Sequence, residues 1–188
     1  MSRLTLYTQE TAPEASQARV EKVQKNMGFI PNLIGTLAGS PQAIETYQTV
    51  GLINGQTSLN LAEREVVQIT AARLHGCGFC VAGHTATVIK GKVLTDAQVL
   101  ALHEGKPMDD ARLQAVATFT HAIIAYRGAV PDALLQAFMD AGYTQQQALD
   151  VVLGVSLATL CNFSNNLAQN DINPQLQPYA AGTFKGSV

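Results

Sequence analysis

Apolar residues recur every three or four positions along almost the whole chain, in runs ended by glycine and proline rather than by alternation. That period belongs to helices packed on one another, and no stretch carries the period-two pattern of a half-buried strand. The expected fold class is therefore all-α. Pro31 drives Ile30 out of the helical region, so Phe29-Ile30-Pro31-Asn32 separates a polar opening segment from a short helix over 33–38. Pro41 suits the first turn of the next helix, and Asn54-Gly55 stops it. Asn60 followed by Glu63 reads as a capping box opening a helix over Val66, Val67, Ile69 and Leu74. His75-Gly76 interrupts that helix, and another is expected over 78–88. Thr95 caps a short helix, and longer ones are expected over 113–126, 132–141 and 145–167. The expected organisation is a single domain over 1–188, with a core at about 28–170 and an irregular tail over 171–188. That tail is expected to drape over a neighbour or to stay mobile.

A faint internal repeat accompanies this pattern. Glu65-Val66-Val67, Cys77 and Cys80 align with Asp150-Val151-Val152, Asn162 and Asn165 at a constant offset of 85 residues. The pattern is that of a duplicated helical unit in which only the first copy carries thiols.

Between Glu65 and His84 the residues carry chemistry. Cys77, Cys80 and His84 stand at i, i+3 and i+7, within an arc of about 60° on one helix face. Gly76 and Gly78 place the cysteines in a helix's first turn, where free N–H groups and the positive end of the dipole favour thiolate. Glu65 would lie about 18 Å from Cys77 along one continuous helix. The break at His75-Gly76 lets the second helix fold back, so that Glu65 can orient the imidazole of His84. An activated thiolate attacks a peroxide to give a sulfenic acid, which a second thiol closes to a disulfide. Its pairing with His84 favours Cys80 as the peroxidatic thiol and Cys77 as the resolving one, with the reverse assignment left open.

The run Glu-x11-Cys-x2-Cys-x3-His, with Phe79 before the second cysteine and Val-Ala-Gly-His-Thr after it, resembles the AhpD-like alkylhydroperoxidase branch of the carboxymuconolactone decarboxylase family. Phe29-Ile30-Pro31-Asn32 and the asparagine-rich stretch 162–170 resemble its peroxidase-related members. The resemblance implies an AhpD-like all-α fold, trimeric or hexameric assembly, and a proton relay through Glu65, Cys77, Cys80 and His84. Some members carry a histidine between the cysteines where this chain has Phe79. The expected function is thiol-dependent reduction of alkyl or hydrogen peroxides, with a thiol or dithiol as reductant. Two other activities use related parts: disulfide exchange with a separate peroxidase, and a decarboxylating lyase reaction on a lactone acid, which needs no cysteine pair.

Composition narrows the partners. With 47% hydrophobic and 14% charged residues, the chain has more apolar surface than a domain of its size readily hides, so a homo-oligomer is expected. A net charge of −2 with no basic run gives no footprint for nucleic acid or an anionic membrane. Residues 151–170 lack charge, but their asparagines suit a buried helix with a polar end rather than a membrane span. The N-terminal residues show no signal-peptide pattern, which points to the cytoplasm, where a close cysteine pair is catalytic or metal-binding more often than structural. Structural zinc would need a second ligand pair, and a thioredoxin fold would need strands; no metal and no organic cofactor is expected. His75 reads as a helix C-terminal group, His121 as a core histidine, His103 as surface and Cys161 as structural.

Overall fold

The computed structural model describes residues 2–186. In chain order the α-helices are α1 (Glu14–Met27), α2 (Asn32–Leu37), α3 (Pro41–Asn54), α4 (Leu61–Leu74) and α5 (Gly78–Gly91). They continue with α6 (Asp96–Glu104), α7 (Ala111–Ala125), α8 (Asp132–Asp140) and α9 (Gln145–Ala168), followed by a 3-10 helix at Pro174–Tyr179. No strand occurs among the described residues.

Helix α4 is the hub, packed against α5, α7 and α9. Every residue from Glu65 to Ala72 is buried, as expected of a helix surrounded by others. The Asn60–Glu63 capping box starts it with both reciprocal hydrogen bonds, at 3.0 and 2.8 Å. One apolar cluster gathers Leu33, Ile34, Ile44, Cys77, Cys80 and Leu157. A second holds Val66, Ile69, Val116, Phe119, Phe138 and Val151. The first cluster surrounds the cysteines; the second anchors the helix that carries Glu65.

Helix α9 is long and apolar enough to cross a membrane by length and composition. In this fold it buries Val151, Gly154, Leu157, Ala158, Cys161, Asn162, Asn165 and Ala168 within the bundle. It runs unbroken, whereas its repeat counterpart divides into α4 and α5. The likeness between the two copies is thus local.

The tail departs from expectation. Its 3-10 helix packs against α5 of the same chain, and Leu176, Ala180 and Phe184 are buried. Apolar side chains at these positions pull it onto the domain, and Asn173 accepts the Asn32 backbone N–H at 2.8 Å. Two histidines also differ. His121 is exposed on α7 rather than in the core. His103 is half-buried, with Nε2 2.7 Å from the Thr85 hydroxyl and its ring edge-on to Phe184.

Candidate active site

The turn between α4 and α5 builds the site. Gly76 takes φ +68°, a conformation that disfavours side chains. It allows Cys77 N–H to reach Ala72 C=O at 2.8 Å and Gly76 N–H to reach Arg73 C=O at 3.1 Å. These two bonds form a Schellman motif that ends α4 and leaves only residues 75–77 before α5 begins. Cys77 therefore serves two helices, following α4 and acting as N-cap of α5. It sits one position before the first turn expected from the sequence. Its Sγ accepts the backbone N–H of Cys80 at 3.3 Å, in the place of a serine or threonine cap oxygen.

The reversal brings Glu65 back to α5. Glu65 Oε2 lies 2.7 Å from His84 Nδ1, with the carboxylate buried and the imidazole partly exposed. Burial alone would lower the pKa of His84. The Glu65 charge and hydrogen bond, with added charge from Cys77, outweigh it and hold the ring above its ordinary value.

The two thiols are strongly unequal. Cys77 is held below the ordinary thiol range, first by a hydrogen bond from the Cys80 thiol. The Cys80 backbone N–H, the Asn165 amide at 3.5 Å and the His84 charge act in the same direction against burial. Cys80 is pushed far up, because its proton is tied to Cys77 and both burial and the Cys77 charge oppose its ionisation. Of the two thiols, Cys77 is thus the one that ionises first, although sequence spacing alone paired Cys80 with His84.

Helix α9 supplies groups absent from the candidate set. Asn165 donates to Cys77, and Asn162 hydrogen-bonds Cys80. Under the 85-residue offset each asparagine is the counterpart of the other cysteine, so the contacts are reciprocal, as across a local two-fold axis. The repeat was the available signal for them. Asn162 also lies 3.0 Å from His75 Nδ1, and Asn166 donates to the His75 carbonyl at 2.7 Å, so His75, the C-cap of α4, is tied to α9. Asn170 links Asn165 to Thr36 through bonds of 2.9 Å each.

An apolar cavity of about 540 Å³ meets this cluster. Cys80 and His84 line it, together with Phe29, Tyr47, Phe79 and Cys161. Cys77 does not reach its wall. Burial pushes the Tyr47 hydroxyl well above the ordinary phenol range, so it faces the cavity as a neutral group. Nothing in the sequence distinguished Tyr47 from a packing residue. Cys161 is buried as expected but also lines the cavity, its thiol pushed up to about 12 by burial and the Cys77 charge. No cluster of three or more histidine, cysteine or carboxylate side chains suited to a metal ion occurs among the described residues.

Residues 40–122 match the model of the carboxymuconolactone decarboxylase family. The chain is 25% identical over 118 residues to the uncharacterized protein YdfG of Bacillus subtilis strain 168, covering 61% of this chain and 78% of YdfG. The AhpD-core, peroxidase-related protein of Ralstonia eutropha JMP134 superposes with a TM-score of 0.82 at 23% identity, covering 93% of this chain and 94% of that one. The debrominase Bmp8, solved as its C82A variant with 2,3,4-tribromopyrrole, gives a TM-score of 0.71 at 17% identity, covering 93% and 95%. These two structural likenesses are likenesses of fold. The chain thus has an AhpD-like all-α fold, and its segment from α3 to α7, residues 40–122, is similar to the carboxymuconolactone decarboxylase family.

Proposed function

We propose that this protein reduces organic or hydrogen peroxides through a Cys77–Cys80 dithiol–disulfide cycle, with Glu65 and His84 handling the proton. The observation that carries this reading is the adjacent pair of buried thiols, with Cys77 Sγ accepting the Cys80 N–H at 3.3 Å, set beside a carboxylate-held imidazole at the wall of a cavity. In the resting state Cys77 is the thiolate, Cys80 the thiol and His84 the imidazolium. A peroxide entering the cavity meets Cys80, whose proton passes to Cys77 as its sulfur attacks the outer peroxide oxygen. The O–O bond breaks, Cys80 becomes a sulfenic acid, and the departing alkoxide takes a proton from His84. Cys77 then attacks the sulfenic sulfur, releasing water and closing the disulfide. Dithiol and peroxide become disulfide, alcohol and water, and an external dithiol restores the starting state by exchange.

Burial bears on the reductant. Cys77 is 1% and Cys80 4% exposed, which favours a small dithiol entering the cavity over direct exchange with the rigid surface of another protein. The reading also includes a homo-oligomer in the cytoplasm. Leu149, Val152, Phe163 and Leu167 fall along one side of α9 and are all exposed in the single chain, an apolar stripe suited to a second copy.

The decisive experiment treats the reduced protein with one equivalent of cumene hydroperoxide, follows peroxide loss and maps the cysteines by mass spectrometry. The expected result is stoichiometric peroxide loss and a Cys77–Cys80 disulfide, with Cys161 still a thiol. Persisting peroxide and three free thiols would reject the reading. The fold shared with a debrominase, together with an apolar cavity beside the thiols, favours a second reading: replacement of an aryl bromine by hydrogen, with bromide released and the same disulfide formed. Bromide release from 2,3,4-tribromopyrrole without peroxide turnover would select it.

A further inference from the structure

A second pocket, of about 190 Å³, lies between α4, α6 and α7 and shares no lining residue with the dithiol cavity. Its polar lining is Thr70, Arg73, Lys106, Gln114, Thr118 and His121, and no carboxylate is among its lining residues. Thr70 is 3% exposed, and its hydroxyl has no hydrogen-bond partner. Two other helical threonines satisfy themselves locally: Thr120 donates to Val116 C=O and Thr159 to Val155 C=O, both at 2.8 Å. Thr70 makes no such bond.

Three residues on, and so on the same side of α4, the Arg73 Nε is buried without a partner. Arg73 forms no ion pair among the described residues. Its guanidinium lies over the backbone of Gly105, where a Cβ would stand 2.7 Å from Nη1, so a glycine at that position gives it room. On the opposite wall Gln114 donates to Thr118 Oγ1 at 3.0 Å, a bond that leaves the Thr118 hydroxyl hydrogen unused. Lys106 stands at the rim, bonded to Glu104 at 2.6 Å, and His121 is exposed beside it.

A buried hydroxyl and a guanidinium edge, both unsatisfied and both beside a cationic pocket with no acid in its wall, call for a ligand that accepts hydrogen bonds and carries negative charge. The volume suits a group of phosphate size. We propose that Thr70, Arg73, Lys106 and Thr118 form a binding site for a phosphate group, distinct from the redox site. Thr70 Oγ1 and Arg73 Nε are buried atoms of residues that line the pocket, so binding an anion requires the guanidinium edge to turn toward it. The phosphate is either the free ion or the terminal group of a phosphomonoester.

The test is calorimetric titration of the full chain with inorganic phosphate and, separately, glycerol 3-phosphate, at fixed ionic strength with chloride as control. One saturable site per chain is expected for at least one of them. Binding of both at similar strength assigns the site to the free ion, and much tighter binding of the ester assigns it to a larger ligand. Arg73→Gln should weaken binding by roughly tenfold or more, the usual consequence of losing a hydrogen bond to a charged group. Thr70→Val, a near-isosteric change that removes the unsatisfied hydroxyl, should weaken binding while leaving thermal stability unchanged or raised. Absence of saturable binding by either phosphate, or equal binding by wild type and both variants, would overturn the proposal.

Discussion

Glu65 and His84 are nineteen residues apart in sequence, yet Oε2 and Nδ1 meet at 2.7 Å because the turn at Gly76 folds α5 back along α4. The pairing decides which way the ring's pKa moves: burial lowers it, and the carboxylate outweighs burial and raises it. Glu65→Gln should therefore drop the His84 pKa below its ordinary value, measured by NMR titration of the ring protons. The pair also links stability to pH. A histidine whose folded pKa is raised contributes stability fully below its unfolded value, about 6.5, and loses it as pH rises through the folded value. Urea midpoints of the wild type should show that loss, and those of Glu65→Gln should not.

Asn165 donates to Cys77 Sγ from the far end of the chain. Its loss removes one of the groups that stabilise the thiolate, so the ultraviolet thiolate absorbance of Asn165→Ala should appear at higher pH than in the wild type. Disulfide formation at neutral pH should slow by about tenfold, as expected for one lost charge-assisted hydrogen bond. Asn165 also accepts from Asn170 at 2.9 Å. Asn170→Ala supplies the control, since it breaks that bond while leaving the donor to sulfur in place.

What was legible in the sequence follows the range of each interaction. Capping at Asn60 and Thr95 is a three-residue affair, and both caps form where their side chains indicated. The spacing of Cys77, Cys80 and His84 is likewise local. The approach of Glu65 needed only one further inference, that His75-Gly76 is a reversal rather than a kink. Asn162 and Asn165 depend on how α9 crosses α4, which local periodicity does not encode; only the weak repeat hinted at them. The unequal ionisation of the two cysteines arises from burial and a sulfur–sulfur hydrogen bond, and neither has a sequence signature. His121 was misplaced for the same reason: apolar neighbours along α7 do not reveal which side of that helix faces solvent.

The crossing of α4 and α9 is close. Gln68 Nε2 donates to the Gly154 carbonyl at 2.9 Å, and a Cβ on Gly154 would stand 2.9 Å from Val67 Cγ1. Gly154→Ala should force the helices apart at a cost of about 1–3 kcal/mol, the usual range for overpacking a tight core. Because the same two helices carry Glu65 and the asparagines, activity should fall further than the loss of folded protein explains. Thermal melts compared with turnover per folded chain would separate the two effects.

The α9 stripe gives the assembly proposal a direct check. Leu149 is 70% and Leu167 59% exposed, so charged replacements at both should leave the isolated fold intact. Leu149→Glu with Leu167→Glu should convert the oligomer to a smaller species in sedimentation velocity. Unchanged sedimentation would place the interface elsewhere or leave the chain monomeric.

Cys161 offers a test at alkaline pH. Its folded pKa stands near 12, against an ordinary thiol value of about 8.5, with burial as the first cause. A thiol whose pKa is raised on folding keeps its proton in the native state while the unfolded chain loses it. Stability should therefore decline as pH climbs through the unfolded value, with a slope of up to about 1.4 kcal/mol per pH unit. Cys80 adds to that decline, since its pKa is also raised, whereas Cys77 acts in the opposite sense below the unfolded value. The wild type alone would thus show a mixture. Cys161→Ala removes one contribution, so the difference in unfolding free energy between the two proteins isolates it. The alanine variant should lose less stability than the wild type between pH 9 and pH 11, measured by urea unfolding under reducing conditions. Parallel curves across that window would mean that Cys161 ionises freely in the native protein, and that water reaches this thiol through the cavity it shares with Cys80.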